Sequence, residues 1–217
     1  DEGAAKQLPT KVEICSGSGD WVVAQAEADA GAANWVCAEL RADRVHDILS
    51  KMLLKRIRNL CILAGDAAQI VSDHLAADSV THICVNFPEP PQTTRNAECE
   101  EAESQLHLLT PAFFRSVHAV LVSKGLLTVW SDNLGYMRSL ARTIGELREE
   151  GPTLFRCCAR EEHTVEERIC GVAVYRGVPG PDCGHATHAT SYFDRFFEHG
   201  QLTERYFIVA SKRAEKK

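Results

Sequence analysis

At 217 residues, 45% hydrophobic and 25% charged, the chain suits a single α/β domain of ordinary size with a substantial core. No apolar run reaches the roughly 18 residues that span a bilayer, no secretory signal is visible, and a net charge of −6 gives no global basic footprint for nucleic acid. Nine cysteines, an odd number placed mostly inside strand or helix patterns (Cys15, Cys37, Cys61, Cys84, Cys170), exclude a complete disulfide framework and indicate a reducing compartment, nucleus or cytoplasm.

In chain order, strand and helix patterns alternate. Strands are expected at Lys11–Cys15, Trp35–Glu39, Leu60–Ala64, Val80–Phe87 and Leu126–Ser131. Helices are expected at Asp20–Ala30, Ala42–Ile57, Ala67–Leu75, Pro111–Val122 and Leu134–Glu149. Thr110 and Pro111 suit a helix cap and first turn, and Ser131-Asp132-Asn133 offers cap chemistry for the last helix. Such alternation predicts a doubly wound, mostly parallel sheet of the Rossmann-like type with right-handed crossovers. Two stretches break the rhythm: Pro88–Leu109, Pro-rich and then Glu-rich, and Gly177–Thr190, which has Gly, Pro and His but no apolar pattern. Connections as long as the first usually carry function. Tyr206–Ser211 reads as a closing strand and Lys212–Lys217 as a solvated tail, giving one domain over residues 1–217 with its core at 11–149 and a substrate-side extension at 150–211.

Chemistry-bearing residues gather after the strands, at the carboxyl edge where open α/β sheets bind ligands. After the first strand comes Val12-Glu13-Ile14-Cys15-Ser16-Gly17-Ser18-Gly19-Asp20, a strand, a turn on two glycines and a helix start, which brings backbone N–H groups close to a ligand. About twenty residues on, Glu39 ends the second strand, where such folds grip a ribose hydroxyl pair. Gly65-Asp66-Ala67 follows the third strand and Asn86-Phe87-Pro88-Glu89-Pro90-Pro91 the fourth. Taken singly these are as well read as a tight turn, a surface acid, a helix cap and a rigid proline loop. Their agreement on one edge points to a single ligand site.

These motifs resemble those of the S-adenosylmethionine-dependent tRNA (guanine-N7)-methyltransferases. The family's Glu-Ile-Gly-x-Gly-x-Gly is similar to Glu13-Ile14-Cys15-Ser16-Gly17-Ser18-Gly19, and its Ile-Glu-Ile-Arg-x-x-Arg-Val to Ala38-Glu39-Leu40-Arg41-Ala42-Asp43-Arg44-Val45. Gly-Asp-Ala stands at residues 65 to 67, and Asn-Phe-Pro-Asp-Pro-Trp-x-Lys-x-Arg resembles the stretch from Asn86 to Arg95. Thr-Asp-x-x-x-Tyr looks like Ser131 to Tyr136, and Thr-x-Phe-Glu looks like Ser191-Tyr192-Phe193-Asp194. The resemblance covers residues 11 to 149 and resumes near 191 to 211, and Phe-Pro-acid-Pro is its specific part.

The resemblance implies a seven-stranded-type sheet of the Rossmann-like class I methyltransferase fold, and transfer of a methyl group from S-adenosylmethionine to guanine N7 in tRNA. It implies a cofactor held by Glu13, Cys15, Gly17, Gly19, Glu39, Arg41, Asp66, Ala67 and Asn86, with Glu89 and Asp132 in catalysis. Thr93, Arg95, Asp132, Ser191, Phe193 and Asp194 fall on the substrate side. The cationic sulfonium favours nearby carboxylates such as Glu13 and Glu89. Guanine N7 has a free lone pair and needs no general base, so alignment and a carboxylate on the base's N1–H edge suffice. Eukaryotic members of the family act with a β-propeller partner, which the resemblance offers here as well.

The departures cluster on the substrate side. Cys15 replaces the first glycine, a change that is tolerable if the position needs no positive φ. Glu89 replaces Asp, Pro91 replaces Trp, and Thr93 replaces Lys. The Lys-Arg-Arg before the next helix is Gln105, Leu106 and His107, below an acidic run of Glu98, Glu100, Glu101 and Glu103 that repels a polyanion unless it is merely a solvated loop. These losses leave a partner-binding scaffold or a methyltransferase shifted to another substrate as the competing readings. The Cys183, His185 and His188 spacing matches none of the usual structural zinc patterns, so no metal is expected there.

Overall fold

The computed structural model describes residues 7–91, 107–148, 153–157, 161–186 and 204–213. The first half alternates as β1 (Thr10–Ile14), α1 (Asp20–Ala28), β2 (Asn34–Glu39), α2 (Ala42–Leu54), β3 (Leu60–Ala64), a short α3 (Ala67–Gln69) that continues as a π-helical turn over Ile70–His74, and β4 (Val80–Asn86). Then come α4 (Pro111–Val120), β5 (Leu121–Ser131), α5 (Leu134–Glu146), β6 (Phe155–Cys157), β7 (Thr164–Ile169), β8 (Val172–Arg176) and β9 (Tyr206–Lys212). Thr110 caps α4 by accepting from the Phe113 N–H, and Asn133 caps α5 by accepting from the Tyr136 N–H.

The strands form one nine-stranded sheet in the order β3-β2-β1-β4-β5-β9-β8-β7, with β6 also pairing β9. β1 to β5 are parallel to one another, and β9 enters antiparallel against β5, with Leu126 opposite Ser211 and Ser131 opposite Tyr206. The doubly wound parallel half is the expected one. The antiparallel half is wider than expected, because β6, β7 and β8 are short and β7 (TVEERI) is half-exposed or exposed along its length, so no apolar run announces it.

The period-two alternation of β1 and β4 divides the core between the two faces. Val12, Ile14, Ile83 and Val85 pack under Ile70, Phe114, Val117, Met137, Leu140 and Ile144 from the helices after β3. Cys37, Cys84 and Trp35 lie on the other face under Trp21, Val22 and Ala26 of α1 and Ile48 of α2. Glu13 is paired in register with both Cys37 and Cys84, so its side chain belongs to this second face.

Four local expectations are corrected. β5 begins at Leu121, because Leu121 pairs with Val80 and the strand then kinks at Lys124 (φ 66) before resuming opposite His82. Lys212 is no tail residue: it ends β9, is buried, and its Nζ lies 2.7 Å from Asp78. Cys170 is exposed in the turn between β7 and β8, and Cys15 and Cys61 are exposed as well, leaving Cys37 and Cys84 as the buried cysteines of the parallel half. The stretch from Gly177 to Ala186 has no regular pattern, yet it packs on the second face: Thr128 Oγ1 donates to the Cys183 carbonyl at 2.7 Å and the Ala186 N–H donates to Gln25 at 2.6 Å.

Candidate active site

The parallel registers bring the ends of β1, β2 and β4 together, since Ile14 lies opposite Ala38 on one side and Val85 on the other. Glu13, Glu39 and Asn86 each sit on the second face, within two residues of the strand ends, and all three are buried. Glu39 organises the glycine turn. Its Oε2 accepts from the Gly17 N–H at 2.8 Å and its Oε1 accepts from the Arg41 N–H at 3.0 Å. A carboxylate offers about four lone-pair positions, so one on each oxygen is left for a pair of hydroxyls.

Glu13 and Asn86 meet across the β1–β4 pairing, where Asn86 Nδ2 donates to Glu13 Oε1 at 2.8 Å. Glu13 Oε2 and Asn86 Oδ1 are buried without a hydrogen-bond partner among the described residues. Two orphaned acceptors side by side call for a donor that the described chain does not provide. Burial pushes the Glu13 carboxyl up to about 8; the Asn86 and Ser16 hydrogen bonds oppose the rise and the Glu39 charge adds to it.

The turn between Glu13 and α1 places every second residue, three in all, in the left-handed region. Cys15, Gly17 and Gly19 have φ of 59, 56 and 77. Cys15 therefore does occupy a left-handed position, and the condition on which its replacement of glycine was tolerable is not met. A Cβ on Gly17 would touch nothing within 4 Å among the described residues, so its face is open there, whereas a Cβ on Gly19 would lie 2.5 Å from Ile48 of α2. The turn is pinned from outside by Lys51, whose Nζ donates to the Ser18 carbonyl and pairs with Asp20, each at 2.7 Å. Although Cys15 as a residue is exposed, partial burial of its thiol, and then the charges of Glu39, Glu13 and Asp66, push the thiol up to about 12. It is no nucleophile at neutral pH.

Asp66 caps α3, accepting from the Ala68 and Gln69 N–H groups; it is exposed, and Ala67 behind it is buried. A cavity of about 220 Å³ adjoins it along the free edge of β3, lined among others by Ala64, Gly65, Asp66 and Gln69. Phe87 turns the chain after β4 with φ 49 and packs on Trp130 at 4.6 Å, placing exposed Glu89 past the same edge as Glu39. Half-buried Asp132 follows β5 there. The Arg41 side chain turns away to an exposed pair with Asp43 at 2.6 Å, so only its backbone N–H belongs to the site. Thr93, Arg95, Ser191, Phe193 and Asp194 lie outside the described residues, as do the acidic run and His188. Two contacts were not foreseen: the Lys51 anchor, 33 positions from Ser18, and a 2.7 Å hydrogen bond between Tyr136 Oη and His107 Nε2. Tyr136 stood in a motif of the sequence, but nothing marked His107 as its partner.

No helix among the described residues is long and apolar enough to cross a membrane. Residues 7–168 match a family model described as "Putative methyltransferase". The chain is 38% identical over 129 residues to a tRNA (guanine-N(7)-)-methyltransferase of Chlamydia felis, covering 59% of this chain and 54% of that protein. It is 28% identical over 141 residues to the enzyme of that name from Nocardia farcinica, covering 65% and 49%. The chain thus spans about half the length of the curated relatives it matches. Among solved structures, the 16S rRNA methyltransferase KamB superposes with a TM-score of 0.61 at 13% identity, covering 97% of this chain and 90% of its own. TrmN of Thermus thermophilus superposes with a TM-score of 0.57 at 13% identity, covering 96% and 45%. At such identities these two speak for the fold alone, a Rossmann-like methyltransferase fold. The match over residues 7–168, about three quarters of the chain, decides the family: the chain belongs to the putative methyltransferase family that this model describes.

Proposed function

We propose that the chain binds S-adenosylmethionine at the carboxyl edge and transfers its methyl group to guanine N7 of a tRNA. The observation that carries the proposal is the pair of orphaned acceptors, Glu13 Oε2 and Asn86 Oδ1, buried beside a glycine turn whose face is open among the described residues. The methionine end of that cofactor carries an ammonium group with three donors, which suits two buried acceptors, and a sulfonium, which suits the Glu13 charge. Glu39 has hydroxyl-accepting positions left over after holding Gly17 and Arg41, as a ribose requires. Asp66, which is exposed next to buried Ala67, takes the adenine amino group in this reading.

The cofactor supplies an electrophilic methyl group. The chain's own part is alignment, since N7 carries no proton to remove. Glu89, one methylene longer than the family's Asp, accepts from the N1–H and amino edge as charge develops on the base. Asp132 flanks the same opening, and Thr93, Arg95, Ser191, Phe193 and Asp194 are assigned to the substrate on the resemblance. The choice of tRNA rests on the names of the curated relatives, which are bacterial. A β-propeller partner rests on the resemblance alone.

Incubation with methyl-labelled cofactor and total tRNA, followed by nucleoside analysis, tests the proposal. Label in 7-methylguanosine is the expected result. Cofactor binding with label in another nucleoside, or in none, would overturn the acceptor but keep the cofactor site.

A further inference from the structure

A second cluster lies outside this site. His163 precedes β7, and Asp182 and Cys183 lie in a single 3-10 turn opened by Pro181. His163 Nε2 is 3.2 Å from Asp182 Oδ1 and 3.7 Å from Cys183 Sγ, and Sγ is 3.4 Å from Oδ1. We infer that His163, Asp182 and Cys183 form a binding site for a zinc-class divalent cation that fastens the 177–186 segment to the sheet.

Three arguments support the site. The first is metric. Zinc bonds of about 2.3 Å to sulfur and about 2.0–2.2 Å to nitrogen and oxygen, at tetrahedral angles, separate the ligand atoms by about 3.3–3.6 Å. The three observed separations cluster about that range, and all the ligand atoms lie within 4.8 Å of one another. The second is chemical. Cysteine and aspartate face the same ring nitrogen, and a catalytic relay would engage the two nitrogens with different partners. The ring N–H and the thiol S–H can each reach Asp182 Oδ1, and a cation that replaces the thiol proton would bind all three groups at once. An imidazole, a thiolate and a carboxylate together select zinc over calcium or magnesium, which prefer oxygen throughout.

The third argument is preorganisation. The Cys183 carbonyl is held by Thr128 Oγ1 of β5, and the Cys183 N–H donates to the Gly180 carbonyl. The His163 ring is set against Phe207 at 4.9 Å and Tyr175 at 6.1 Å. Cys183 is fully buried, while the His163 and Asp182 side chains keep 15% and 35% exposure, which gives a cation a way in. The trio differs from the one that spacing suggests. The His185 ring lies instead against Trp21 at 4.8 Å and Trp130 at 5.8 Å. Sequence spacing hides the real trio because its histidine is about twenty positions upstream.

Bound there, the cation would tie the loop before β7 to the segment covering the second face, the same segment that reaches α1 through Gln25. The test strips the whole chain with a chelator and titrates it with cobalt(II) and then zinc. The wild type should take up cobalt with a near-ultraviolet thiolate charge-transfer band, and zinc should displace it. His163→Gln and Asp182→Asn, at part-exposed positions, should each weaken cobalt binding by at least about tenfold. With zinc held near a hundred times its Kd, Tm should rise by about 5–10 °C in the wild type and not in His163→Gln. Cys183→Ser should lose the band. Adventitious binding at the other cysteines would survive in the variants, so unchanged affinity in both His163→Gln and Asp182→Asn overturns the site. Absence of the band in the wild type does the same and leaves a hydrogen-bonded polar cluster.

Discussion

Glu13 and Asn86 stand 73 positions apart and share one buried hydrogen bond of 2.8 Å, which leaves one acceptor on each without a partner among the described residues. The pair is thus built for a donor from outside the described chain. It also couples the site to pH. The Glu13 carboxyl rises from 4.5 to about 8 on folding, so its contribution to stability is complete below about 4.5 and is lost as pH climbs toward 8. The unliganded protein should therefore melt at lower temperature at pH 8 than at pH 5. Glu13→Gln should flatten that slope and raise Tm at pH 8 by about 5 °C or more, measured by calorimetry without cofactor.

The same substitution should act oppositely on the ligand. A charge-assisted hydrogen bond contributes about 1.5–3 kcal/mol, so Glu13→Gln should weaken cofactor binding about 10–100-fold. In the wild type, binding an ammonium beside Glu13 ionises it, so protons are released and affinity rises with pH up to about 8. Titration calorimetry in buffers of different ionisation enthalpy counts those protons. A wild-type proton count equal to that of the variant would refute the coupling.

Gly17 and Gly19 separate fold from function. Gly19→Ala drives a Cβ to 2.5 Å from Ile48 and should destabilise the chain by about 1–3 kcal/mol, read in urea melts. Gly17→Ala meets nothing within 4 Å among the described residues and adds the strain of φ +56, on the order of 1 kcal/mol, yet it fills the open side of the turn. It should fold and lose cofactor affinity at least about tenfold.

Cys15 holds a left-handed backbone (φ 59) that glycine adopts without strain. Cys15→Gly relieves about 1–2 kcal/mol, offset by about 0.4–1 kcal/mol of added freedom in the unfolded chain. A net gain of about 0.5–1 kcal/mol is expected, with none for Cys15→Ala, and thermal melts of both would show it.

Glu89 is exposed beyond the strand ends. Glu89→Ala should lower kcat by about 10²-fold or more while the cofactor Kd moves less than about threefold. An equal fall in both would assign Glu89 to the cofactor.

The parallel half of the sheet was legible because each of its strands is an apolar run closed by turn residues, and its order follows from crossover rules. Glu39 and the glycine turn were legible for the same reason, since their spacing encodes their meeting. The Glu13–Asn86 bond was not, because two strands must be placed side by side before it exists. The φ of Cys15 was invisible, since a side chain reports its conformational preference and not the one imposed on it. β6 to β8 escaped notice because strands of 3 to 6 residues leave no long apolar run, and β7 is half-exposed or exposed throughout.

β9 lies between β5 and β8, and Leu126 there waits for Ser211. During synthesis the chain grows from its amino end, so the parallel half is finished while its flank at β5 is still bare. Until residue 212 leaves the ribosome, a row of unpaired amides beside Val129 and Leu127 is open to any passing strand. The hazardous interval for this protein is thus its birth, and chaperone demand should track how long translation takes to cover the last third of the sequence.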